Sequence, residues 1–245
     1  VVDTSMMTAP SKDITEFHEK FAKLVDNVSQ VVVGKEAPIR QCATAMVVGG
    51  HILLEDNPGT GKTQLARGLA NSIDMSFKRI QFTPDLLPSD VVGVTYYDQK
   101  NSEFEYREGP IFASIVLVDE INRASPKTQS ALLEVMEEQK VTVDGETHAV
   151  PQPFMVIATQ NPIEEEGTFN LPEAQMDRFM MKAVMTYPTA QEEQRMLSML
   201  TRRGSDTFDS RVLTGDVVSI SDVEFLRSVA RRVHVSDAIM KYAVD

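Results

Sequence analysis

The 245-residue sequence contains a single cysteine, Cys42, and no tryptophan. One thiol cannot form a disulfide within the chain, and such scarcity is typical of proteins in a reducing compartment. The most continuously apolar stretches, around Cys42–Leu54 and Ile111–Val118, are shorter than the roughly 18 residues that a membrane-spanning helix needs. Residues 1–10 lack the charged and apolar regions of a signal peptide. We therefore expect a cytoplasmic protein that is not inserted into a membrane.

Basic residues are also scarce. The sequence has 24 Lys and Arg against 36 Asp and Glu, which gives a formal net charge of −12. A surface this acidic repels the phosphate backbone of DNA and RNA, so we expect no nucleic acid partner. A few backbone N–H groups and one lysine still suffice to bind the phosphates of a small ligand. Hydrophobic residues make up 42% and charged residues 24%, a globular composition that argues against disorder.

The hydrophobic pattern predicts helices that alternate with short buried strands. Apolar residues from Ile14 to Val28 share one helical face, and a second helix is predicted from about Pro38 to Val48. Further along the chain, the pattern predicts strands at His51–Glu55, Phe77–Phe82, Ser114–Asp119 and Phe154–Thr159, with helices at Lys62–Ile73 and Pro126–Gln139. This alternation is typical of an α/β fold with a parallel sheet flanked by helices.

Two predicted β-hairpins interrupt the alternation. Val94–Arg107 alternates in hydrophobicity on both sides of a polar tip. Lys140–Val150 pivots on Asp144-Gly145, a strong signal for a two-residue hairpin turn. We expect both hairpins to be insertions in the α/β core.

A domain boundary is predicted at Tyr187-Pro188, beyond which helical patterns replace strands. Residues 1–187 are expected to form the core, and residues 188–245 an incomplete helical lid. Capping boxes are predicted at Thr189…Glu192 and Ser221…Glu224, with residues 202–219 as a loop and a last helix starting near Ser236.

The strongest chemical signal is the segment Asp56–Thr63, which follows a predicted strand and opens a predicted helix. Such a loop binds phosphates through backbone N–H groups, because its glycines let the chain curl around them. We assign Pro58, Gly59, Thr60, Gly61, Lys62, Thr63 and Gln64 to the nucleotide, with Lys62 on the β- and γ-phosphates and Thr63 on Mg²⁺. Asp56 departs from the usual first glycine of this pattern. The alternative is a glycine-rich turn that binds no nucleotide.

The second signal is a run of four apolar residues that ends in Asp119 and Glu120. Ligands of open α/β sheets bind where parallel strands end. Asp119 is therefore expected to hold the hydration shell of Mg²⁺, and Glu120 to activate a water for attack on the γ-phosphate. An acidic pair in this position is otherwise an ordinary loop start. Together with the upstream loop, it favours hydrolysis over binding alone.

Asn161 and Arg178 are weaker candidates. The amide of Asn161, at the tip of a predicted strand, could contact the γ-phosphate or the attacking water, although Asn-Pro is also a common turn. Arg178 follows a short predicted helix. It would either pair with Asp177 at that helix end or extend its guanidinium into a neighbouring active site.

The order of these segments resembles the MoxR family of AAA+ ATPases, and the resemblance runs from about Val31 to the end. It is carried by Val32–Lys35, Pro58–Thr63, Gln81–Asp90, Glu108–Ala113, Asp119–Ala124, Val141–Thr147, Ala158–Glu164 and Leu171–Phe179. The resemblance implies that Val33 and Gly34 line the adenine pocket, that Asn161 senses the γ-phosphate and that Arg178 is an arginine finger. It also makes residues 94–107 the helix-2 insert of this clade, and residues 140–150 the hairpin before the sensor strand.

The same resemblance implies a P-loop AAA+ ATPase with ATP and Mg²⁺ as cofactors. It implies a homo-oligomeric ring, expected to be a hexamer, with a chaperone-like role in remodelling or maturing client proteins. Von Willebrand factor A-domain proteins would be among the clients. The family's lid arginine, in a Gly-Ala-Ser-Pro-Arg segment, has no match in the sequence. Two alternatives stay open: a nucleic-acid motor or loader, and a nucleotide-gated scaffold with little turnover.

Overall fold

The computed structural model describes residues 11–56, 59–161, 167–203 and 217–244. The described strands are β1 Ile52–Asp56, β2 Phe77–Gln81, β3 Gly93–Asp98, β4 Glu103–Glu108, β5 Ile115–Asp119, β6 Lys140–Val143, β7 Glu146–Ala149, β8 Met155–Gln160 and β9 Met181–Met185. The α-helices are α1 Ser11–Ser29, α2 Glu36–Val48, α3 Lys62–Ile73, α4 Pro88–Val92, α5 Pro126–Glu138, α6 Glu173–Met176, α7 Ala190–Arg203, α8 Ile220–Arg231 and α9 Asp237–Val244.

Five strands form one sheet in the order β2-β5-β8-β1-β9, and every neighbouring pair is parallel. The order brings the ends of β5, β8 and β1 side by side, although they are far apart in the sequence. The predicted α/β class with a parallel sheet is thus confirmed. Strand β9 was not among the predicted elements.

Helices cover both faces of the sheet, as its buried strands require. Successive residues of β5 are buried on opposite faces: Ile115 and Leu117 pack with α1, α2 and α3, whereas Val116 and Val118 pack with α5. The lone thiol, on Cys42, is fully buried on the first of these faces. Two separate apolar layers therefore hold the sheet between the helices.

The two hairpins form small sheets of their own, β3–β4 and β6–β7, close to the predicted boundaries. Strands β3 and β4 expose most of their apolar side chains. Phe104 is 75% exposed and Tyr97 is 50% exposed, and their rings meet edge to face at 5.1 Å between centroids. Tyr96 is also exposed, at 44%, whereas Tyr106 packs against Phe112 and His148.

Helices alone follow β9 in the described residues. The capping box of α7 joins Thr189 and Glu192 as predicted. The predicted box at Ser221…Glu224 is wrong, because the box of α8 joins Ser219 and Asp222. The residues beside this box, Val218 and Val223, are buried in the same cluster and form a hydrophobic staple that sets the earlier start. Most of the predicted loop lies outside the described residues.

Helix α8 lies against α1 and α2. Its buried face is formed by Val223, Leu226 and Val229, and Arg227 donates to the carbonyl oxygens of Met46 and Val47 at the end of α2. Across the described ranges, no helix has both the length and the apolar composition needed to cross a membrane.

Candidate active site

The loop after β1 is shaped by two glycines with positive φ angles. Gly59 has φ +82° and Gly61, which caps α3, has φ +93°. A Cβ atom on Gly59 would meet nothing within 4 Å, so backbone conformation rather than space requires glycine here. Helix α3 then begins at Lys62 and points its N-terminus at the loop, which is a favourable site for anions. Pro58 lies outside the described residues.

Asp119 ends β5 and is only 1% exposed. Its Oδ2 accepts a hydrogen bond from Nε of Arg79 at 2.5 Å, and its Oδ1 lies 3.5 Å from Nζ of Lys62. The hydroxyl of Thr159 lies 3.4 Å from the same Oδ1. Two cations thus compensate a carboxylate that would otherwise be costly to bury.

Glu120 turns out of the strand in a left-handed conformation, with φ +56°. Its backbone N–H donates to the hydroxyl of Thr159 at 3.0 Å, which ties the turn to β8. Its carboxylate accepts a hydrogen bond from the side-chain amide of Gln81 at 3.1 Å and lies 3.6 Å from the Arg123 guanidinium. Both predicted acidic residues therefore lie at the carboxyl edge of the sheet.

Asn161 directly follows β8, the strand between β5 and β1. The topology therefore brings the predicted sensor between the acidic pair and the phosphate loop, and its side chain is partly buried. The carboxyl ends of three adjacent strands thus gather Lys62, Asp119, Glu120 and Asn161 at one edge.

A cavity of about 330 Å³ opens beside the phosphate loop. Three parts of the chain line it: the segment before α2, the phosphate loop with the start of α3, and α7 with the residues just before it. The lining residues are Val31, Val32, Val33, Lys35, Gly59, Thr60, Gly61, Gln64, Pro188 and Met196. Val33, which we predicted to line the adenine pocket, is thus among the residues that line this cavity. Gly34 lies against the carboxylate of Glu192, whose Cδ would be 2.1 Å from a Cβ at this position.

Arg178 lies at the other edge of the sheet. It precedes β9, whose first residue, Met181, pairs with Ile52 at the amino end of β1. Strand β1 runs from there to the phosphate loop, and each further residue adds about 3.3 Å. The Arg178 guanidinium pairs with Glu137 of α5 at 3.0 Å, and not with Asp177 as one of our two alternatives had it. The structure thus separates Arg178 from the other predicted site residues of its own chain.

Two side chains at this site were not among the predicted residues, Arg79 and Gln81 of β2. They are two positions apart on a strand, so they lie on the same face of the sheet. The register pairs Gln81 with Asp119, which brings that face against the acidic pair. Both strands were predicted from the sequence, but their pairing and register were not.

The protein side chains supply only some of the ligands that Mg²⁺ needs. A carboxylate and a hydroxyl, from Asp119 and Thr63, are hard oxygen donors of the kind that Mg²⁺ prefers. Among the described residues, no three or more His, Cys, Asp or Glu side chains gather as a metal site. The site therefore fits a metal that takes its other ligands from nucleotide phosphates and water.

Comparison with protein families matches residues 51–181 to the ATPase family associated with various cellular activities (AAA). A Bacillus subtilis protein named YeaC, itself uncharacterized, is 50% identical over 94% of this chain and 70% of its own length. The chaperone MoxR1 of Mycobacterium tuberculosis is 40% identical over 91% of this chain and 57% of its own length. The chain thus spans little more than half of the mycobacterial relative.

A crystal structure of a candidate ATPase from Cytophaga hutchinsonii superposes with a TM-score of 0.83 at 42% sequence identity. The match covers 95% of this chain and 69% of that protein. The chain thus shares its overall fold with a solved relative.

Proposed function

The chain belongs to the MoxR family of AAA+ ATPases, enzymes that hydrolyse ATP, and from this premise we propose that it uses the hydrolysis to remodel or mature partner proteins. The observation that carries the proposal is the separation of Arg178 from the phosphate loop by the length of β1. An active site that uses this arginine therefore needs a second copy of the chain. Sites shared between neighbouring subunits would let a ring coordinate its ATP hydrolysis.

We assign the chemistry of each site to five side chains. Lys62 binds the β- and γ-phosphates, Thr63 and Asp119 hold Mg²⁺, Glu120 activates the water, and Asn161 senses the γ-phosphate. Bound Mg²⁺ would neutralise charge on the phosphate oxygens. Support comes from the shared sheet edge and from the burial of Asp119 beside Lys62.

The adenine is proposed to occupy the cavity beside the phosphate loop, next to Val33 and Gly34. The lining of this cavity is supplied from both sides of the predicted boundary at residue 187, through Val33 on one side and Met196 on the other. The adenine base would therefore bind between a core of residues 1–187 and an incomplete lid of residues 188–245.

We propose that the subunits form a ring, with six as the expected number, in which Arg178 reaches the neighbour's γ-phosphate. An exposed salt bridge such as Arg178–Glu137 contributes about 0–1 kcal/mol, so releasing the guanidinium is inexpensive. An arginine supplied from a neighbouring subunit can be worth about 10³–10⁵ in rate.

Clients are proposed to bind the hairpin β3–β4, which exposes apolar side chains at Val94, Tyr96, Tyr97 and Phe104. Partly exposed apolar surface of this kind marks interaction sites in soluble proteins. A relative that is named a chaperone supports protein clients, and the family resemblance implies von Willebrand factor A-domain proteins among them. A cytoplasmic location stays a prediction.

The nucleic-acid motor and the nucleotide-gated scaffold remain the rival functions. The formal charge of −12 counts against the motor. The test is to capture proteins on a Glu120→Gln variant with ATP, using Lys62→Ala as the control, and then to add each captured protein to the wild type. The proposal expects a captured protein to stimulate ATP turnover. Stimulation by DNA or RNA alone would support the motor, and negligible turnover under every condition would support the scaffold.

A further inference from the structure

Asp119 has two cationic partners of different kinds. Lys62 belongs to the phosphate loop, and the proposed function assigns its charge to the nucleotide. Arg79 belongs to β2, and its guanidinium forms the shorter contact, 2.5 Å against 3.5 Å for Lys62. The Arg79 side chain is 48% exposed, whereas Asp119 is 1% exposed. A partly solvated cation thus contacts a buried anion.

The two oxygens of Asp119 divide their partners between them. Oδ2 accepts from Arg79, whereas Oδ1 lies near Lys62 and Thr159. Arg79 is already the closer of the two cations, and once the charge of Lys62 is shared with phosphates, Arg79 would be the main partner of Asp119 of these two. A divalent cation arriving at the same carboxylate would be repelled by the guanidinium, because two like charges a few ångströms apart interact strongly even at a protein surface.

We propose that Arg79 is a positioning residue that serves as the closer counter-ion of Asp119 in the metal-free protein, so that Arg79 and Mg²⁺ compete for this carboxylate. The inference rests on the proposed function, which makes Asp119 a metal ligand. Mg²⁺ binding displaces the guanidinium toward solvent. This displacement is short, because about half of the Arg79 side chain is already exposed. Arg79 thereby sets the Mg²⁺ concentration at which the site assembles and keeps a buried carboxylate paired when no metal is bound.

The test measures metal-dependent nucleotide binding rather than turnover. The probe is a fluorescent, non-hydrolysable ATP analogue, and its binding is followed as Mg²⁺ is added. Coupling between two ligands of one protein is typically about 5- to 150-fold. We expect Arg79→Gln to lower the half-saturating Mg²⁺ concentration about tenfold, and Arg79→Lys, which keeps the charge, to stay within about twofold of the wild type.

The matched control is Lys78→Gln, which removes the same charge from the next position of β2. Lys78 is exposed and points to the opposite face of the sheet, so its removal should leave the Mg²⁺ dependence unchanged. An unchanged or higher half-saturating concentration for Arg79→Gln, or an equal fall for Lys78→Gln, would overturn the inference.

Thermal unfolding gives a second readout that an ordinary structural role would not produce. Arg79→Gln should have a lower Tm than the wild type without nucleotide, because Asp119 loses the closer of its two counter-ions. Mg²⁺ with the ATP analogue should remove most of that difference, since the metal then pairs with the carboxylate. An equal loss of Tm with and without the metal would mean that Arg79 only stabilises the fold.

Asp119→Asn separates failure of this inference from failure of the proposed function. If Asp119→Asn raises the half-saturating Mg²⁺ concentration while Arg79→Gln changes nothing, the metal assignment survives and only the inference is overturned. If Asp119→Asn also leaves the half-saturating Mg²⁺ concentration unchanged, Asp119 is not a metal ligand. The metal assignment of the proposed function and the inference are then both overturned.

Discussion

Arg178 is ion-paired with Glu137 of its own chain, with 3.0 Å between the guanidinium Nη2 and the carboxylate Oε2. Both side chains are at the protein surface, 37% and 59% exposed. The pair lies at the amino edge of the sheet, whereas the phosphate loop lies at the carboxyl edge. If Arg178 contacts a nucleotide, as we propose, that nucleotide is therefore bound to another subunit.

Arg178→Ala should therefore leave ATP affinity unchanged and lower turnover by about a thousandfold or more, as expected for an arginine supplied from a neighbour. Arg232→Ala is a matched control, because Arg232 is also 37% exposed and pairs with one carboxylate, that of Asp13. It should retain wild-type turnover. ATP affinity and steady-state turnover are measured for all three proteins, and equal turnover of the two variants would make Arg178 an ordinary surface ion pair.

Mixing two inactive variants, Lys62→Ala and Arg178→Ala, tests the assignment of Arg178 by a gain of activity instead of a loss. A Lys62→Ala subunit keeps its Arg178, and an Arg178→Ala subunit keeps its phosphate loop, so mixed rings contain some complete sites. The mixture should be more active than either variant alone, and wild-type specific activity should rise with protein concentration. Turnover that is independent of concentration, with no rescue on mixing, would contradict assembly of the site from two chains.

Glu120→Gln should retain ATP binding and lose turnover, because the amide cannot accept a proton from the attacking water. Lys62→Ala should weaken ATP binding itself, since its charge stabilises bound phosphates before and during the reaction. Nucleotide affinity and single-turnover hydrolysis, measured on both variants, distinguish the two roles. Wild-type turnover in Glu120→Gln would reject Glu120 as the activating residue.

The exposed ring of Phe104 allows a focused test of the client surface. Phe104→Ser removes the most exposed ring of hairpin β3–β4 without touching the core, so basal ATP hydrolysis should be nearly intact. Stimulation by a protein captured on Glu120→Gln should fall several-fold. Ile14→Ser, which removes an exposed apolar side chain of α1, serves as the control. Deletion of residues 99–102 should act like Phe104→Ser, and full stimulation in both hairpin variants would make the hairpin structural.

The helix that carries Lys62 was predicted with both ends correct, because local signals define it. Glycines precede it, and apolar residues such as Leu65 and Leu69 repeat at helical spacing. Strand β9 was missed for the opposite reason. It is a short edge strand in which only Ala183 and Met185 are buried, so its sequence carries little hydrophobic pattern.

The contacts of Arg79 depended on information that local sequence does not contain. Its partner, Asp119, lies 40 residues away and meets it only because β2 pairs with β5 in one register. A shift of that register by one residue would turn Arg79 to the other face. Asp119 and Glu120 could be picked out as candidates because an apolar run followed by two acids is a local pattern.

The last prediction concerns His51, a buried imidazole that joins three elements. Its Nδ1 accepts a hydrogen bond from the backbone N–H of Val156 at 2.9 Å, and its Nε2 lies 3.0 Å from the carbonyl oxygen of Met136. A neutral ring that carries its proton on Nε2 satisfies both contacts, whereas a second proton would face the N–H of Val156. Burial lowers the pKa of His51, and the hydrogen bond to Met136 opposes this only in part.

A lowered pKa of His51 in the folded state means that the unfolded chain binds more protons as the pH falls below about 6.5. Its contribution to stability is therefore complete above that pH and is lost on acidification toward the folded-state pKa. Between pH 7.5 and 5.5, the free energy of unfolding should fall by about 1 kcal/mol more in the wild type than in His51→Gln, which cannot titrate. Urea unfolding at both pH values measures this, with His18→Gln, an exposed histidine of α1, as the control. Equal pH dependence in the wild type and His51→Gln would show that protonation of this ring does not weaken the fold.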